Sequence, residues 1–250
     1  MHRPSTPRAV AALVLRDLGC ALRNPTVLLC ILVALGASWF FGAMLGDDVR
    51  RDTGLESFLL TFIAILPALE SGGVITLFVM SEEQAHGTYQ VMARSGAALG
   101  QIAAAKVVTG CLLSALITPL GLWLGGFGTQ GLPATIAIGA LGSLAPCLLF
   151  CGAGLLSDDQ MRANFWAGPL VFAGLLPLVG AVEPALGLVG ALSPEGFLAG
   201  GCAWAVLGSP EAVGMSAAMT VASGIVWTAL GAAALRTSIG KWKQVHGQER

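Results

Sequence analysis

Glu70 is the one carboxylate that falls well inside a long apolar stretch, thirteen residues after Ser57 and ten before Met80. At about 1.5 Å per helical residue it sits near the middle of a membrane crossing. An acid there is costly, and it fits either a functional role or a hydrogen-bonded structural one beside Ser71 and Gly72. Glu82 and Glu83 follow the stretch directly, in Ser81-Glu-Glu-Gln-Ala-His-Gly-Thr-Tyr. Ser81 with Gln84 has the form of a capping box, and the two acids suit a helix N-terminus. Gly87-Thr88 breaks and re-caps the chain before Tyr89, which predicts two short helical pieces meeting at Gly87. Lys106 is expected to snorkel to the interface rather than reach Glu70.

Other chemistries lack their residues. Ile239-Gly240-Lys241-Trp242 has neither the upstream glycine nor the following hydroxyl of a phosphate loop, so ATP hydrolysis is not expected in this chain. His2, His86 and His246 lie in polar segments, which argues against intramembrane proteolysis. Cys147 and Cys151 are spaced to share a helix face, but without a further ligand they read as small packing residues; no metal or other cofactor is expected in the chain. A net charge of −1 with no basic run argues against nucleic-acid binding.

The elements that must hold these residues follow from composition. Of 250 residues, 55 % are hydrophobic and 11 % charged, against roughly 25 % charged in soluble domains. Mean hydropathy is +0.79. Six stretches match the roughly 20 apolar residues that cross a bilayer, near 26–45, 57–80, 103–125, 133–156, 165–182 and 212–235. The fold expected is all-α, a single polytopic membrane domain over 1–250. Residues 8–24 read as an interfacial amphipathic helix carrying Arg16 and Arg23 on one face and ended by Asn24-Pro25. The segment 184–211 is apolar yet too short to cross, as a re-entrant or interfacial piece would be, and it would leave Cys202 outside the membrane on the far side. Placing the N-terminus in the cytoplasm puts eleven Lys and Arg on that side and only Arg50 and Arg51 on the other, so both termini are expected there. No cleaved signal peptide or disulfide framework is read from the sequence.

The order of these features resembles the membrane subunits of type-2 ABC exporters over nearly the whole chain. The resemblance rests on a helix ending in Arg23-Asn24-Pro25, on Glu82 and Glu83 followed by Gly87-Thr88 after the second span, on Lys106 soon after, and on an apolar outer hairpin before the last of six spans. Gln90 stands where the family commonly has an acid, and Ala105 where it has a glycine before the lysine. The resemblance implies a coupling region over 81–97 that docks on a separate ATPase subunit, with Gly87, Thr88 and Tyr89 starting its helix and Glu82 and Glu83 preceding it. It also implies a second permease, identical or homologous, with ATP and magnesium held by the ATPase, in a bacterial cytoplasmic membrane. The substrate would be amphipathic or hydrophobic. The haem-exporter membrane subunit of cytochrome c maturation is a narrower alternative. A proton-coupled carrier using Glu70, or a non-transporting assembly factor, is the rival from a different class.

Overall fold

A computed structural model describes residues 6–49, 53–94, 96–129, 131–157 and 159–245. Arg3, Arg50, Arg51 and Arg250, which enter the charge count, lie outside them. The elements are α1 (Thr6–Ala21), α2 (Pro25–Val49), α3 (Thr53–Pro67), α4 (Ile75–Ala85), α5 (Thr88–Arg94), α6 (Leu99–Leu122), α7 (Leu132–Gly142), α8 (Leu144–Leu155), α9 (Gln160–Gly174), α10 (Pro177–Val182), α11 (Gly187–Ala191), α12 (Gly196–Leu207) and α13 (Ala217–Val245). There is no strand among the described residues. Six helical stretches are long and apolar enough to cross a membrane, and the chain is an all-α polytopic membrane protein.

Asn24 explains how α1 stops and α2 starts. Its side-chain oxygen accepts from the backbone N–H of Thr26 at 2.9 Å and of Val27 at 3.4 Å, and Pro25 fills the first helical position, where no N–H is needed. Arg23 therefore lies in the turn between two helices and is exposed, so it does not share a helical face with Arg16.

Prolines interrupt the spans as membrane helices allow. Pro67 ends α3, and a wide π-turn over Ala68–Val74 carries the second span into α4. The fourth span divides at Ser143, four residues after Gly139 and three before Pro146, whose ring excludes the carbonyl one turn back. In the fifth, Pro177 has no N–H to give the Ala173 carbonyl, and the Ser193 hydroxyl takes that carbonyl at 2.8 Å instead. The sixth span begins later than the sequence suggests, at Ala217, because Pro210–Val213 forms a 3-10 turn closed by Gly214 at positive φ; the helix then runs on to Val245.

The second, third and fourth spans form the centre, with 67 %, 61 % and 56 % of their most apolar windows buried, against 17 %, 22 % and 22 % for the first, fifth and sixth. Gly42 of α2 meets Gly125 so closely that a Cβ at 42 would lie 2.6 Å from the Gly125 Cα, and this contact brings the first span onto the third. At one end of the bundle Leu60, Ile63, Leu198, Cys202 and Met215 share a core. At the other, Met80, Tyr89, Ile102, Cys151 and Trp242 share another. Cys202 is fully buried in the first of these cores. The region 184–211 folds back as α11 and α12, and α12 packs on α3, α7 and α13 because Gly196, Gly200 and Gly201 leave room for neighbouring side chains.

Candidate functional site

The end of the bundle that carries α1 and α5 gathers most of the residues singled out by sequence. α4 continues unbroken through Glu82 and Glu83 to Ala85, so Ser81 is not a helix cap: its hydroxyl donates to the Phe78 carbonyl at 2.9 Å within the helix. Gln84 does not complete a capping box either, and accepts from the Trp242 indole N–H of α13 at 3.1 Å. The break falls at Gly87, whose φ of +67° lies in the left-handed region that favours glycine, and α5 begins at Thr88.

Tyr89 turns inward from α5 and is 1 % exposed. Its hydroxyl donates to the Met80 carbonyl at 3.2 Å, and burial, followed by the nearby Glu83 charge, pushes the phenol well above its ordinary value. Among the described side chains of α5, Gln90 and Val91 are exposed, Val91 at 65 %. Tyr89 anchors the helix and does not form its contact surface.

Lys106 corrects the expectation of snorkelling. It is 5 % exposed, and its ammonium lies 2.9 Å from Glu83 Oε1 and 3.2 Å from Asp17 Oδ1. Arg16 joins the same two acids, at 2.7 Å to Asp17 Oδ1 and 3.4 Å to Glu83 Oε1, and a further guanidinium nitrogen meets the Met92 sulfur of α5 at 3.2 Å. Four charges from α1, α4 and α6 thus form one node, with α5 in contact through Met92. Both cations bind the same oxygen of each acid. Asp17 Oδ2 and Glu83 Oε2 are buried and accept no hydrogen bond, the nearby Tyr89 proton being directed to Met80. Glu82 is exposed beside the node. Taking one member from such a buried network costs several kcal/mol, because its partners stay charged and dry.

Glu70 lies apart from this node. It sits half-buried in the π-turn, beside the Cys30 thiol of α2. Glu195 is an acid that sequence reasoning missed. It lies in the Ser193-Pro194-Glu195 turn between α11 and α12, is fully buried, and neither side-chain oxygen has a hydrogen-bond partner. Ser193 secures that turn: besides the Ala173 bond, its hydroxyl accepts from the Glu195 N–H at 3.1 Å, and its carbonyl accepts from Ser223 of α13 at 3.1 Å. The signal available in sequence was an acid in the middle of an apolar segment too short to cross, 184–211, with the next acid, Glu211, at its end.

Among the described residues no group of three or more His, Cys, Asp or Glu is placed to hold a metal. No known protein-family model matches the chain, and no curated protein is significantly similar to it. The site seats the short helix α5 on α4 through buried Tyr89 and joins it, through Met92, to the charge node of α1, α4 and α6.

Proposed function

We propose that the chain is the permease subunit of an ATP-driven exporter of the type-2 ABC class, working with a separate ATPase and a second permease. The bundle end holding α1 and α5 then faces the cytoplasm, the side to which the positive charges assign both termini. The observation that carries this reading is the seating of α5. Val91 and Gln90 project outward, while Tyr89 and the Arg16–Asp17–Glu83–Lys106 node tie the helix to α1, α4 and α6. A push on Val91 is delivered to the second and third spans as a rigid movement, since buried, hydrogen-bonded groups repack between discrete arrangements and do not stretch. ATP and magnesium stay on the partner. The substrate passes between two permeases, and its amphipathic character is carried over from the resemblance.

The test is purification of the chain from its native membranes in mild detergent, with ATP hydrolysis measured on the eluate. The reading predicts a co-eluting ATPase that Val91→Asp removes while the permease still elutes as a folded, monodisperse species. Elution without ATPase activity under conditions that preserve other membrane complexes contradicts it.

One observation favours a second reading, a proton-coupled carrier. Glu70 occupies a π-turn, a distortion often found at functional sites, and lies beside Cys30. That reading requires gradient-driven transport by the chain alone, lost in Glu70→Gln.

A further inference from the structure

Between the fifth and sixth spans the chain re-enters the bundle as a hairpin of α11 and α12, whose tip is the turn that holds Glu195. Leu198, at the start of α12, belongs to the core at one end of the bundle. Cys147 of α8 belongs to the core at the other end and lies close enough to act on Glu195 electrostatically. The acid therefore stands between the two cores, about one turn from the break of the fourth span at Ser143. Three hydrogen bonds hold the tip. The Ser193 hydroxyl donates to the Ala173 carbonyl and accepts from the Glu195 N–H, and the Ser193 carbonyl accepts from the Ser223 hydroxyl. None of them reaches the Glu195 carboxyl, whose two oxygens are buried without a hydrogen-bond partner.

We propose that Glu195 is a proton-operated latch: with the proton bound the hairpin stays folded into the bundle, and loss of the proton to water releases the tip toward the end where Pro184 and Leu207 lie. The latch rests on the fold and is independent of the transport reading. A proton needs no room, so the closed surroundings of the carboxyl admit it. An ionised carboxylate in such a place costs far more than a neutral one unless a cation pairs with it. Among the described residues, α8 brings the Cys147 thiol toward it, with Cys111 of α6 behind, while α7, α10 and α11 have no titratable side chain. Arg162 of α9 and Arg236 of α13 stand about 16 and 20 Å along their helices from Ala173 and Ser223. Glu56 of α3 and Glu211 line the mouth of the hairpin beside Leu207, about 18 Å along α12 from Glu195. Release of the tip also withdraws the Ser193 hydroxyl from Ala173, so the state of one proton reaches the break in the fifth span.

The test uses two cysteines already present. Cys202 is fully buried on α12 and reports the hairpin, and Cys151 is fully buried on α8 in the opposite core and reports the rest of the bundle. The full chain in detergent micelles is exposed to methyl methanethiosulfonate between about pH 5 and 8, above the ordinary carboxylate range, and labelling of each cysteine is followed by peptide mass spectrometry. Reading Cys202 against Cys151 in the same sample cancels the reagent's own dependence on pH. Because the folded hairpin binds one proton more than the released one, release is favoured as pH rises, and the ratio should climb by up to about tenfold per pH unit. In Glu195→Gln, which keeps the shape and cannot ionise, the ratio should be low and level. A level ratio in the parent overturns the latch, and that measurement stands however the variant folds. A rise that persists in Glu195→Gln also overturns it. So does labelling of both cysteines in step, which is unfolding of the whole bundle and not release of the hairpin.

Discussion

Lys106 shows how much one buried charge holds. Replacing it with Met leaves buried Asp17 and partly exposed Glu83 with only the partly exposed Arg16 between them, and should cost about 3 kcal/mol of stability in detergent-solubilised protein. Adding Glu83→Gln to Lys106→Met should recover part of that loss, and strictly additive losses in thermal unfolding would show that the node does not act as a unit. Glu195 gives a pH dependence. Burial pushes its carboxyl well above the ordinary carboxylate value, so the folded chain keeps the proton while the unfolded chain releases it near pH 4.5. Stability is unaffected below that pH and falls as pH rises above it toward the folded value. Glu195→Gln should match the parent near pH 4 and exceed it near pH 8; parallel stability curves at the two pH values would contradict the burial of a protonated acid. Neither role was legible in the sequence. Lys106 meets an acid on α1 that only tertiary packing brings near, and Glu195 depends on a turn whose depth no local pattern encodes.

At the scale of elements, the loop after the second span divides cleanly between what local chemistry states and what packing decides. Gly87-Thr88 marks the break because the left-handed backbone is a local requirement, and the structure places φ of +67° there. Gly87→Ala meets open space around its new methyl, so its penalty is conformational alone, about 1 kcal/mol, read as a small fall in melting temperature. The Ser81–Gln84 pair misled because the same spacing occurs inside a continuing helix, where Ser81 bonds backward and Gln84 finds Trp242 on a helix distant in sequence. Tyr89 starts the coupling helix that the resemblance implies, and its ring completes the core of Met80, Ile102 and Cys151. Tyr89→Phe should lose only the Met80 hydrogen bond, about 1 kcal/mol, whereas Tyr89→Ala should cost about 3–5 kcal/mol and loosen α5. Faster amide exchange across 88–94 in the alanine variant alone is the expected signature.

For the whole molecule, six spans and their approximate order were readable from hydropathy, since a bilayer demands long apolar helices whatever their neighbours. Which spans are central was not, because the central second span and the peripheral first are similarly apolar, at mean hydropathies of 2.0 and 2.3. The placement of α5 at one end, backed by a core and a charge node, is what makes a partner-driven permease the preferred reading over a carrier that works alone. The most direct measurement installs a photocrosslinking amino acid at Val91 in native membranes and identifies the adduct by mass spectrometry. A partner-driven permease gives a crosslink to an ATPase subunit at Val91 and none from a matched probe at Phe165, which is exposed on the apolar fifth span. Adducts to lipid alone at Val91, with the chain fully expressed and folded, would contradict it.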